Sequence, residues 1–149
     1  MPDTIKFTIP GEPVAKGRAR ALVRKGRIAH YTPKKTVQYE SLVRLVAQQA
    51  MSEKLPAEGA ISLIIRAFLS IPKSWNFKKR EAAVIGAIAH TQRPDLDNIV
   101  KAIKDGANGV AWRDDSQVIH VQASKQYGMP RVEVEMTIAL SGMPTPHKK

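Results

Sequence analysis

Apolar and polar residues alternate near the start of the chain, where Ile5, Phe7 and Ile9 are separated by Lys6 and Thr8. This period of two predicts a short strand stopped by Pro10-Gly11. A longer alternation places Ile61, Leu63, Ile65, Ala67, Leu69 and Ile71 on one face. Ile64 and Phe68 make its other face partly apolar, so this strand is expected to lie centrally in a sheet. Between the two strands the period changes. Over residues 34–54, Tyr39, Leu42, Val43, Val46 and Ala50 recur at helical spacing, with Thr32 as the expected cap and Pro33 at the first helical position. Residues 77–89 read as a second helix weakened by Gly86, and Leu96, Ile99, Val100 and Ile103 trace a third that ends near Gly106 or Gly109. Residues 19–31 suggest a basic hairpin around Arg24-Lys25-Gly26, and residues 118–125 and 131–140 read as strands joined through Gly128-Met129-Pro130. This order predicts an α+β fold with helices packed on a mixed β-sheet.

The length of 149 residues suits one domain, taken as residues 1–140, with residues 141–149 as a flexible tail. No apolar run reaches the roughly 18 residues that a membrane span needs, and no signal-peptide pattern opens the chain, so a cytoplasmic protein is expected. Cysteine is absent, which removes disulfides, thiolate metal sites and cysteine nucleophiles together. Charge changes the picture more. Lys and Arg number 24 against 13 acids, a formal net charge of +11 that favours polyanionic partners, nucleic acid first among them. Lys16, Arg18, Arg20, Arg24, Lys25, Arg27, Lys34 and Lys35 all fall within residues 13–39, where no acid occurs. These cations are candidate DNA-backbone contacts, because such contacts need charge but little geometry. Asp95, Asp97, Asp105, Asp114 and Asp115, by contrast, lie within residues 95–115.

Candidate chemistry concentrates in that acidic stretch. Pro94 biases Arg93 away from helix, so Asp95 and Asp97 are expected at an extended entry, with Asp97 or Asn98 capping the helix. Lys101 lies one helical turn beyond Asp97, and Asp105 one turn further. Trp112 is expected to bury its ring, and Asp114-Asp115 to sit at a strand entrance from which they reach the Asp95/Asp97 turn. Carboxylates converging in this way repel one another unless a cation joins them, and hard oxygen donors suit Mg²⁺, with Mn²⁺ as a substitute. Such an ion polarises a phosphodiester, while a nearby lysine stabilises the added negative charge. Taken singly, an Asp-x-Asp at a helix start is more often cap chemistry, and Lys101 an ordinary i,i+4 ion pair.

The run Asp-Leu-Asp-Asn-x-x-Lys-Ala-x-x-Asp from Asp95, followed by Trp-x-Asp-Asp-x-Gln-Val from Trp112, resembles the signature of the RusA family of Holliday-junction resolvases. The likeness extends to Gly11-x-Pro-x-x-Lys-x-Arg and to Tyr31-Thr-Pro-Lys-Lys, and so covers most of the chain. It implies a homodimer that binds four-way junction DNA and, with Mg²⁺, makes paired symmetric nicks. Carried over position by position, it implies metal-binding aspartates at Asp95, Asp97 and Asp115 and a catalytic lysine at Lys101. Asp114 stays open as an alternative ligand or an outer acid. His90 is read either as a contact to the site or as a solvated loop histidine. The family's usual Ala-Leu-like continuation after Asp105 is here Gly106-Ala107, which is expected to loosen the helix end. The competing reading is a basic junction- or nucleic-acid-binding module that does not cut; an RNA-binding role is disfavoured by 5% aromatic content.

Overall fold

A computed structural model describes residues 3–17, 20–31 and 33–139 of the chain. Strand β1 (Asp3–Pro10) buries Ile5, Phe7 and Ile9 and leaves Lys6 and Thr8 exposed, as their alternation requires. Strands β2 (Arg20–Arg24) and β3 (Arg27–Tyr31) form a separate two-stranded hairpin. Its turn residues Lys25 and Gly26 both have positive φ (52° and 74°), the twist that two-residue hairpin loops favour. Helix α1 (Lys34–Met51) follows, buries Tyr39, Val43, Ala47 and Met51, and places Pro33 at its N-cap rather than inside the first turn. Thr32, the expected cap, lies outside the described residues.

Strand β4 (Ile61–Leu69) is interior, as expected, in a four-stranded sheet ordered β1-β6-β4-β5, where β5 is Val118–Tyr127 and β6 is Arg131–Ile138. It pairs antiparallel with β6 (Ile65 opposite Val134) and parallel with β5 (Ile61 opposite Val118, Leu69 opposite Tyr127). Although consecutive, β5 and β6 are not neighbours; their short connection passes over the end of β4. Gly128 is needed there, since a Cβ would stand 2.9 Å from the Phe68 ring, and its N–H donates to the Leu69 carbonyl. The sheet is therefore mixed, with helices on one face, an α+β architecture.

A parallel pair such as β4 and β5 needs a crossover, which helices α2 (Phe77–Val84) and α3 (Leu96–Ala107) supply. Gly86, at φ +81°, limits α2 to eight residues, well short of the expected 77–89. Helices α1 and α3 pack against the sheet over a core that contains Ile9, Val43, Leu63, Ile65, Ile99, Ile103, Trp112 and Met136. Gly106 does not loosen the end of α3, contrary to expectation. It is buried where α3 crosses α1, and a Cβ there would lie 2.6 Å from Val43 Cβ and 2.9 Å from the Glu40 carbonyl oxygen. The glycine admits close helix approach. Among the described residues, no helix is long and apolar enough to cross a membrane.

Candidate active site

The crossover decides where each acid stands. Because α3 returns from the carboxyl end of β4 to the amino end of β5, its N-terminus lies at the carboxyl end of the parallel pair, where open α/β sheets bind ligands. Asp95 occupies the N-cap position of α3 with extended backbone (φ −69°, ψ 141°), yet its side chain makes no capping hydrogen bond. An N-cap aspartate ordinarily accepts from the first helical N–H groups. This carboxylate is exposed and free of that role. Asp97 and Asn98 are the second and third helical residues rather than caps, so extended backbone gives way to helix between the two acids. Asp97 is exposed, and its Oδ1 accepts from the Asn98 N–H at 3.0 Å.

The segment after β1 forms the facing wall. Lys16 N–H donates to the Asn98 carbonyl at 3.0 Å, and Gly17 N–H donates to the hydroxyl of buried Thr36, so residues 13–17 run between the N-termini of α1 and α3. A cleft of about 810 Å³ results, lined by Pro13, Val14, Lys35, Arg93, Asp95 and Asn98. A free carboxylate thus shares one open cleft with two cations.

The candidate cations divide. Lys35 lines the cleft, and Lys34 beside it is exposed in the first turn of α1. Lys25 and Arg27 are exposed at the tip of the β2–β3 hairpin. For Arg20 and Arg24 the structure describes only backbone within β2, and Arg18 lies outside the described residues. Lys16 is engaged inside the protein: its ammonium binds Glu40 and, at 3.1 Å, Asp105. The bond to Glu40, opposed by partial burial and joined by Asp105, raises the Lys16 pKa above its ordinary value. Lys101 Nζ also binds Asp105, at 2.8 Å, while its side chain remains 58% exposed. Partial burial disfavours the charged Asp105, but hydrogen bonds from Lys101 and Lys16 outweigh it and hold the carboxyl below the ordinary range. Spacing alone had suggested the Lys101–Asp105 pair; Lys16 and Glu40 carried no signal, because they meet Asp105 only in three dimensions.

Asp114 and Asp115 separate cleanly. Asp114 caps the short 3₁₀ turn of Asp115–Gln117: its carboxylate accepts from Ser116 N–H at 2.9 Å, and its own N–H donates to Gln117 Oε1 at 2.8 Å. Hydrogen bonding to Ser116 lowers its pKa. Asp115 Oδ1 accepts from the indole Nε1–H of fully buried Trp112 at 2.9 Å. This turn precedes the amino end of β5, whereas Asp95 lies at the other end of α3, about 18 Å away along a twelve-residue helix. The expected meeting of Asp115 with Asp95 and Asp97 therefore does not occur within one chain. Among the described residues, no three histidine or acidic side chains gather as a metal group. Asp95 and Asp97 still fit a Mg²⁺-type ion, which binds through one or two carboxylates and keeps several waters.

His90 is not a solvated loop histidine. Its ring tilts against Tyr127 with centroids 4.7 Å apart, its Nδ1 is buried without a partner among the described residues, and burial together with the nearby Lys125 charge lowers its pKa. Trp75 meets the same Tyr127 edge-on at 5.1 Å and carries the Lys79 ammonium over its face, an anchoring role.

A sequence model of the family described as endodeoxyribonuclease RusA matches residues 10–137, which span the cleft, both acidic turns and strands β4, β5 and β6 of the sheet. The chain belongs to the RusA family. It is also 42% identical over 135 residues to the uncharacterized protein YqaN of Bacillus subtilis (strain 168), covering 89% of this chain and 94% of that relative. RusA membership implies an endonuclease that acts on DNA at Holliday junctions. A base-flanked cleft holding an uncommitted aspartate is consistent with that activity.

Proposed function

We propose that this RusA-family protein resolves four-way DNA junctions by divalent-metal-dependent, paired symmetric phosphodiester cleavage, working as a cytoplasmic homodimer. The observation that carries the reading is Asp95: an N-cap carboxylate without a capping bond, exposed in a cleft that also presents Lys35 and Arg93. The cations hold the DNA backbone there, supported by the exposed Lys25, Arg27 and Lys34 and by the net charge of +11. Asp95 and Asp97 would hold Mg²⁺ or Mn²⁺, which supplies Lewis-acid polarisation of the phosphodiester and a more acidic water. Lys101, one turn from Asp97 and largely exposed, offers its remaining N–H donors to the charge that builds on the phosphate.

The distance to Asp115 supports a dimer. Strand β5 is a sheet edge of ten residues with Ile119 71% exposed and its outer ladder groups open to pairing. Antiparallel pairing of β5 with β5 of a second copy sets the amino end of one strand beside the carboxyl end of the other. In that arrangement the partner's Asp115 approaches Asp95 and Asp97, and two equivalent sites face opposed strands of a nearly two-fold substrate. The test is cleavage of a synthetic four-way junction in Mg²⁺ by the parent protein and by Asp97→Asn. The parent should nick two opposed strands symmetrically, and the variant should bind the junction at least as well without cutting it. An Asp97→Asn protein that cuts at the parent rate would overturn the site.

A further inference from the structure

We propose that Lys125 is a positioning residue that aims Asp95, an inference resting on the nuclease reading above. Lys125 lies near the carboxyl end of β5, opposite Ala67 of β4 and half-buried. Strand alternation places it with Ala123 and Tyr127 on the side of the sheet that carries α3. Its ammonium donates to two backbone carbonyls, Gln92 at 2.6 Å and Pro94 at 2.9 Å. The Pro94 carbonyl belongs to the peptide that contains the Asp95 nitrogen, so the clamp acts directly on the backbone that presents this carboxylate. Among the described residues, these two are the only hydrogen bonds that tie residues 91–94 to the rest of the fold.

Residues 91–93 are exposed, and Asp95 has no side-chain bond of its own to hold its direction. The aim of the carboxylate therefore depends on the path of the turn, and the path depends on Lys125. A charge-assisted pair of bonds to neutral carbonyls suits this task, since it is strong and takes no negative charge away from the acids. Groups that orient ligating carboxylates commonly change metal affinity or activity by about 10- to 100-fold when removed. The lysine thus links the edge strand to the acidic turn through two backbone carbonyls.

Lys125→Met removes the donors but keeps much of the aliphatic stem, and Lys125→Arg keeps charge and donors. The Met variant should melt near the parent temperature and bind junction in Ca²⁺ within about twofold of the parent, as a residue outside the DNA contacts would. It should need about 10- to 100-fold more Mg²⁺ for half-maximal cleavage. Amide hydrogen exchange over residues 92–98 should accelerate in the Met variant, and Lys125→Arg should restore most of both effects. The proposal is overturned if Lys125→Met leaves the Mg²⁺ requirement and the exchange unchanged. It is equally overturned if activity falls only in step with melting temperature and the Arg variant rescues nothing. Should the parent protein itself fail to cut, the nuclease reading falls, while the exchange comparison still decides the clamp.

Discussion

Gly106 shows how much one missing methyl group decides. Its hydrogen faces Val43 and the Glu40 carbonyl across the α1–α3 crossing, within the distance at which any Cβ must displace backbone. Gly106→Ala is expected to destabilise the protein by about 1–3 kcal/mol, because overpacking in a close-packed core forces neighbouring groups apart. Thermal melting of the variant checks this, and an unchanged melting temperature would show that the helices separate freely. The same scale distinguishes the adjacent acids. Asp114 is committed to a turn cap, whereas Asp115 is held by the Trp112 indole, and no property of the Asp-Asp dipeptide itself tells the two apart.

At the scale of elements, α1, α3 and the segment after β1 are pinned by the network Glu40–Lys16–Asp105–Lys101. The folded-state pKa of Asp105 lies below its ordinary 3.8, so the stabilisation it provides is present above that value and is lost as pH falls through the lowered one. Asp105→Asn should therefore lower the melting temperature by a nearly constant amount above about pH 5, with the gap to the parent closing as pH falls below the ordinary 3.8 and through the lowered value. Melting curves across this range test the assignment; a gap that persists at low pH would mean the network acts through packing rather than charge. Lys16 works in the opposite direction, its stabilising charge fading only above its ordinary 10.5, so the network is intact at neutral pH.

At the scale of the whole molecule, the parallel pairing of β4 and β5 separates the acids that the proposed chemistry needs together, and β5 is the edge strand through which the proposed dimer would reunite them. If sites are shared between protomers, a mixture of Asp97→Asn and Asp115→Asn proteins contains heterodimers with one intact site and one doubly altered site. Each variant alone should be inert, whereas the mixture should regain single-strand nicking of a junction, measured on denaturing gels. No recovery after subunit exchange would place Asp97 and Asp115 in the same protomer's site or remove one from catalysis.

Strand and helix periods, the buried Trp112, the central place of β4 and the clustering of acids after Pro94 were legible along the chain, because each depends on residues a few positions apart. The family signature was legible for the same reason, its residues lying in two short runs. The skipped β5–β6 pairing, the close packing at Gly106, the internal use of Lys16 and the clamp from Lys125 were not. Each depends on residues brought together across 20 or more positions, where sequence period carries no information. Composition by itself determined a strongly basic chain, and the order of residues a cluster of acids after Pro94. Only the tertiary structure decided that the Asp115 turn, tied through Gln117 to the carbonyls of Ala57 and Gly59, stands at the amino end of the β4–β5 pair while Lys125 holds the Asp95 turn near its carboxyl end, because strand pairing, not local pattern, sets which ends of a sheet its loops share.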